Sequence, residues 1–131
     1  MEDDRDRLIV IVAGYKREMD NLISSNPGIK SRFTQYFEFE DYEPRFLLRM
    51  LMGLAKEHDL RVSPALGLKA ARYFKEAYSS RDETFGNGRL VRNVFENILQ
   101  QQANRVISAG VVEATIINSL DECDFMLPAI N

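Results

Sequence analysis

Asn26-Pro27-Gly28-Ile29-Lys30-Ser31-Arg32-Phe33 is the stretch on which the fold turns. Proline cannot continue a helix, and asparagine and glycine accept turn backbones, so Asn26-Pro27-Gly28 ends the helical pattern before it and turns the chain. The stretch then delivers Arg32 on a loop, just ahead of an alternating segment. A guanidinium so placed can clamp a carboxylate or a phosphate. A surface salt bridge is the plainer use of the same residue. Lys30-Ser31-Arg32 is too short a basic patch to argue for DNA.

Upstream, Leu8-Ile9-Val10-Ile11-Val12-Ala13 is a continuous apolar run rich in β-branched residues. It reads as a strand buried on both faces, as in the middle of a parallel sheet. Gly14 ends it, and residues 16–25 read as a short helix with Met19, Leu22 and Ile23 on one face. Downstream, Tyr36-Phe37-Glu38-Phe39-Glu40 alternates apolar and acidic residues, the pattern of a strand with one wet face. A strand buried on both faces needs neighbours beside it and helices above and below. The chain supplies one further strand, so its first part is expected to be the end of an α/β domain.

Beyond residue 42 the periodicity changes to that of helices. Pro44 suits the first turn of a helix over about 43–58, with Leu47, Met50, Leu51, Leu54 and Ala55 as its stripe. Ser63-Pro64 is a cap followed by proline at the first helical position. The second helix runs to about 79, with Leu66, Ala70, Tyr73, Phe74 and Ala77 inward. After a polar loop, Gly86-Asn87-Gly88 makes a sharp turn into a third helix over about 88–108. Its stripe is Val91, Val94, Phe95, Ile98 and Val106, and Gly110 breaks it. Thr115 to Leu120 fits either a strand or a helix start, and residues 118–125 a short helix. Two unequal parts result: residues 1–42, α/β pieces, and residues 43–131, a helical bundle and its tail.

Composition narrows the function classes. The chain has 131 residues, 45% hydrophobic and 10% aromatic, enough for a core in one domain-sized piece. A net charge of −3 offers no basic field for nucleic acid. One cysteine, Cys123, precludes an intrachain disulfide and a thiolate metal cluster, and fits a reducing cytoplasm. One histidine, His58, argues against a histidine-rich metal site or a Ser-His-Asp triad. Cys123 and His58 read as structural, and no metal site is expected. The run Leu8–Ala13 is far too short to span a bilayer, so no membrane partner is expected.

Several stretches carry possible chemistry. No Gly-Lys pair occurs, so no phosphate loop of the Gly-Lys-Ser/Thr kind is present. Gly86-Asn87-Gly88 opens a helix and can hold an anion by backbone and dipole, or can be a plain turn. Leu120-Asp121-Glu122 imitates a strand ending in magnesium-binding acids, but reads better as a solvated helix start. Arg89 and Arg92 fall at the start of the third helix, on one side of it. Cations there oppose the macrodipole unless an anion compensates; alternatively Arg92 pairs with Glu96 on the surface. Tyr15 sits at the C-terminal end of a parallel-type strand, where open α/β sheets bind ligands, or simply packs.

Four stretches, in order and at matching spacing, resemble the CbxX/CfqX branch of the AAA+ ATPases. They are Leu8-Ile-Val-Ile-Val-Ala-Gly-Tyr15, Ser25-Asn-Pro-Gly-Ile-Lys-Ser-Arg-Phe33, Phe39-Glu-Asp-Tyr42 and Gly86-Asn-Gly-Arg-Leu-Val-Arg-Asn93. The branch includes stage V sporulation protein K-like ATPases, red-type Rubisco activases and ATPases of type VII secretion systems. The resemblance covers about residues 1–108. It implies a mostly α fold: a helical lid of three or four helices over 43–131, preceded over 1–42 by the last two strands and a helix of the nucleotide-binding core. The Walker A loop and the Walker B Asp-Glu are then expected upstream of Met1.

By position, the resemblance makes Arg32 the arginine finger, reaching the γ-phosphate on a neighbouring subunit. Arg89 becomes sensor 2, touching the γ-phosphate in cis, with Arg92 the second candidate. Tyr15 falls at the sensor 1 position, where many AAA+ proteins carry Asn or Thr. The implied cofactors are ATP and Mg²⁺ in the full-length protein, with neither held tightly by this segment, which alone is expected to be inactive. The implied partners are neighbouring subunits of a homo-oligomeric ring, a hexamer, and a protein client, in the cytoplasm. A stand-alone helical interaction or regulatory module is the competing reading; a helical nucleic-acid-binding domain is disfavoured by the acidic balance.

Overall fold

Three long helices form where apolar residues recur at three- and four-residue spacing, and they bury that stripe against one another. The computed structural model describes residues 9–110 and 113–126. Residues 1–8, 111–112 and 127–131, which include the first residue of the expected strand at Leu8, lie outside the described residues. The chain divides into two units, Met1–Glu40 and Asp41–Asn131.

In the first unit, helix α1 (Lys16–Ser25) begins after Tyr15, carries Glu18 in its first turn and ends before Asn26. A second helix follows at once, α2 (Pro27–Arg32). The turn expected at Asn26-Pro27-Gly28 is therefore also a helix start. Asn26 Oδ1 accepts hydrogen bonds from the backbone N–H of Gly28 at 3.1 Å and Ile29 at 3.3 Å. Pro27 occupies the position where a missing N–H costs nothing. Arg32 consequently stands on the last turn of a helix, not on a loop.

The two expected strands are absent as strands. Residues 9–15 and 33–43 carry no regular secondary structure. Ile9 and Ile11 are 88% and 86% exposed where burial on both faces was expected, and Phe37 and Phe39 are 79% and 91% exposed. None of the described residues 9–40 is buried. The reason is physical: a strand exists through its ladder, and among the described residues no segment pairs with either stretch. The period of two survives, for Val10 and Val12 are only 40% and 41% exposed between the bare isoleucines.

The second unit holds helices α3 (Pro44–Glu57), α4 (Pro64–Ser79) and α5 (Gly88–Ala109). Their core is Leu47, Leu51 and Ala55 from α3, Leu66, Ala70 and Phe74 from α4, and Val91, Val94, Phe95 and Ile98 from α5. Met50, Leu54 and Tyr73 pack at its edge. Ser63 Oγ caps α4 by accepting from the Leu66 N–H at 3.2 Å, as the Ser-Pro pair predicts.

The tail is built onto this bundle. Helix α6 (Ala114–Ile117) leads into strand β2 (Ser119–Leu120), which pairs in parallel with β1 (Arg61–Val62), Arg61 opposite Ser119. Both readings of Thr115–Leu120 thus occur, one after the other. A 3₁₀ turn over Glu122–Asp124 closes the described tail, and Leu120 and Phe125 join the core. Gln102, buried on α5, donates from Nε2 to the Ile117 carbonyl and holds α6 in place.

Helix α3 ends in a Schellman motif. Leu60 N–H donates to Ala55 O at 2.8 Å and Asp59 N–H to Lys56 O at 3.1 Å. Asp59 supplies the left-handed residue at φ 57°, where glycine is the usual occupant. Asp59→Gly is expected to stabilise the bundle by up to about 1 kcal/mol, because it removes the steric cost of that backbone. Thermal unfolding reads this as a Tm rise of a few degrees; an unchanged or lower Tm contradicts it.

Candidate functional site

Arg89 and Arg92 lie one turn apart at the N-terminal end of α5, both exposed. The start of α5 has no acidic residue in its first turn and no side-chain cap. Neither guanidinium is within ion-pair distance of a carboxylate among the described residues, so the surface pair Arg92–Glu96 does not form. Two cations therefore sit at the positive end of a 22-residue helix with no anion beside them among the described residues.

Both arginines line an open groove of about 550 Å³ between the C-terminal half of α3 and the start of α5. Its floor is Met50, Leu54 and Val91, and Gly53 and Gly88 keep it wide. Glu57 is the acid at its rim. A smaller hollow of about 290 Å³ on the other side of Arg89 is lined by Arg81, Asp82, Phe85 and Asn93. Arg89 thus stands on the ridge between two depressions. The paired guanidiniums suit an anionic group, and the groove's apolar floor suits an apolar part of the same ligand.

The loop before α5 is tightly held. Asp82 Oδ1 accepts from the N–H of Thr84 at 2.8 Å and from its hydroxyl at 2.7 Å. These bonds, the hydroxyl's first, hold the Asp82 carboxyl below the usual carboxylate range. Arg81 stacks on the Tyr78 ring, 3.6 Å from its centroid. The Nε of Arg81 donates to Asp41 Oδ2 at 3.0 Å. Asn87 reaches the same aspartate, donating from Nδ2 to Asp41 Oδ1 at 2.7 Å. The Asp41 contact was not legible in the sequence, where 46 positions separate it from Asn87.

The remaining candidates belong to the first unit. The exposed Arg32 donates from Nη1 to the Gly28 carbonyl at 3.1 Å, one turn back on α2. A Cβ at residue 28 would stand 3.1 Å from that nitrogen, so the guanidinium lies close along the glycine's bare face. Tyr15 precedes α1, half exposed, with its carbonyl accepting from Met19 N–H at 2.9 Å. The structure brings Arg89 and Arg92 together in the second unit; Tyr15 and Arg32 both belong to the first. His58 packs against Phe95, ring centroids 5.2 Å apart. No helix among the described residues is long and apolar enough to cross a membrane.

A family model described as AAA lid domain matches residues 43–130, the helical bundle and its tail. The chain belongs to that family, in the CbxX/CfqX branch of the AAA+ ATPases. It is similar to protein CfxQ of Xanthobacter flavus, 33% identical over 125 residues, 95% of this chain and 39% of that protein. Stage V sporulation protein K of Bacillus subtilis is 37% identical over 108 residues, 82% of this chain and 34% of that protein. The chloroplastic ribulose bisphosphate carboxylase/oxygenase activase of Cyanidioschyzon merolae is 36% identical over 110 residues, again 82% of this chain and 36% of that protein. The chain thus spans between a third and two fifths of the length of these relatives.

Proposed function

We propose that this chain is the lid-bearing part of an ATPase that forms a cytoplasmic ring of subunits, a hexamer, and couples ATP hydrolysis to remodelling of a protein client. The observation that carries the reading is the pair Arg89 and Arg92, two guanidiniums with no carboxylate partner among the described residues, at a helix N-terminus beside an open groove. Arg89 serves as sensor 2, contacting the γ-phosphate of ATP bound by the same subunit, with Arg92 the second candidate for that role. Arg32 serves as the arginine finger toward the nucleotide of the neighbouring subunit. Tyr15 occupies the sensor 1 position. Residues 1–42 are the end of the nucleotide-binding core, and residues 43–131 are the lid with its tail.

The mechanism follows from charge and position. Phosphoryl transfer needs the attacking water and the γ-phosphate held in line and the developing charge neutralised. ATP with Mg²⁺ supplies the phosphoanhydride and its counter-ion. This chain's residues supply cations at two points around it. Arg89 rides on α5, so loss of the γ-phosphate removes the anion that offsets the macrodipole clash and frees the lid to move. A finger delivered from a neighbour makes hydrolysis depend on assembly.

The test is Arg89→Ala in the full-length ATPase. Turnover at saturating ATP is expected to fall at least about 10-fold, the scale of removing one charged donor from a transition state. ATP hydrolysis near the unmodified rate would overturn the assignment. Arg92→Ala, tested beside it, is expected to fall less.

A further inference from the structure

Asn87 has a backbone that belongs to glycine, at φ 46° and ψ −120°. It stands between Gly86 and Gly88, and its side chain does not cap the helix it precedes. The side chain turns instead to the residues leading into the lid. Its Oδ1 accepts from the Tyr42 N–H at 2.8 Å. Its Nδ2 donates to Asp41 Oδ1 at 2.7 Å and to the Phe85 carbonyl at 3.4 Å. Asp41 is held from its other oxygen by Arg81, whose Nη1 also donates to the Tyr78 carbonyl at 2.7 Å. A strained backbone persists where its surroundings over-determine it, and here the surroundings are these hydrogen bonds.

The consequence lies two residues on. Arg89 N–H donates to the Gly86 carbonyl at 2.8 Å, so its backbone is fixed to the same turn. A side chain at residue 86 would press on Leu90 N at 3.3 Å, which fixes how closely the turn folds onto α5. Asp41, Asn87 and Arg81 therefore form one knot that ties the segment leading into the lid to the first turn of α5.

We propose that Asn87 is a positioning residue for Arg89, locking Asp41–Tyr42 to the start of α5 so that a displacement of the chain at residue 41 is delivered to the Arg89 guanidinium. The inference rests on the role given to Arg89 above. Without the lock, residue 41 can move while Arg89 stays behind, and the sensor loses its register with the γ-phosphate. Because small misplacements of a catalytic cation are costly, the effect falls on turnover.

Asn87→Gly is the decisive variant, because glycine keeps the backbone without strain while deleting every side-chain contact. In the 131-residue chain, Tyr42 amide hydrogen exchange is expected to accelerate about 10-fold. Exchange of Leu51 in the core should not change. In the full-length ATPase, Asn87→Gly should lower kcat about 5-fold in an otherwise normal protein and by less than about 2-fold in an Arg89→Ala background. Asp41→Ala, which leaves α5 untouched, should give the same pattern. Unchanged Tyr42 exchange overturns the lock. Equal losses of kcat in both backgrounds make Asn87 a structural residue and overturn the positioning role. If Arg89→Ala lowers turnover but Asn87→Gly does not, the positioning role alone fails. If Arg89→Ala is itself without effect, the sensor assignment fails and the positioning role with it.

Discussion

Arg32→Ala in the ring-assembled ATPase is expected to reduce ATP turnover by about 10³-fold, the lower end of what an arginine finger contributes. Arg32 is exposed at the end of α2, with a hydrogen bond to the Gly28 carbonyl at 3.1 Å. Truncating an exposed arginine costs folding stability no more than about 1 kcal/mol. The loss should therefore appear in kcat at full occupancy, with ring assembly and ATP affinity retained. Mixing supplies the sharper measurement. A ring that combines Arg32→Ala subunits with subunits disabled in their own nucleotide pocket contains interfaces where an intact Arg32 faces an intact pocket. Those interfaces should recover hydrolysis that neither population shows alone. Turnover near normal in Arg32→Ala rings, or no recovery on mixing, would show that Arg32 serves its own subunit or none.

The helices of the lid were legible because their code is local. Leu47, Leu51 and Ala55 repeat at four-residue spacing, and burial follows that repeat without exception. Ser63-Pro64 announces α4 by chemistry alone. The same chemistry announced α2, since Asn26-Pro27 is also a cap followed by proline. In sequence the same pair also marks the end of α1, because one asparagine can close one helix and cap the next. The apolar run at 8–13 and the alternating segment at 36–40 carry the pattern of buried faces, whereas a strand requires a partner that local pattern cannot supply.

The site divides the same way. Arg89 and Arg92 were visible as misplaced cations at a helix start, a signal carried by neighbours in sequence. Asp41 was not, because its partners Arg81 and Asn87 lie 40 and 46 positions away. The odd backbone of Asn87 was equally hidden, since a Gly-Asn-Gly run states that a turn occurs and leaves open which residue carries the strain. Gln102 sits in the polar part of α5 and becomes buried only because α6 returns to cover it.

Arg105→Ala is expected to cost the bundle about 3 kcal/mol, the scale of breaking a buried ion pair by removing one partner. Arg105 on α5 clasps Asp124 with both arms, Nε to Oδ1 at 2.8 Å and Nη2 to Oδ2 at 2.9 Å. Its Nη2 also donates to the Ser119 carbonyl at 2.9 Å, beside the β1–β2 pair. The Asp124 carboxylate, chiefly through this hydrogen bonding, raises the guanidinium's pKa above its ordinary value. The two partners differ in burial: the Asp124 side chain is 1% exposed and that of Arg105 25%. Removing Arg105 strands a buried carboxylate whose other partners are the Asp121 N–H at 2.8 Å and, weakly, the Cys123 thiol at 3.9 Å. Removing Asp124 leaves an arginine that still reaches water, so Asp124→Ala should cost less, about 2 kcal/mol. Replacing both by leucine should cost less than Arg105→Ala alone, because no charge is then left buried. Urea unfolding of the three variants measures the order. If Asp124→Ala proves the more damaging, the tail is held by the turn that Asp124 closes at Asp121, and the ion pair is incidental to it.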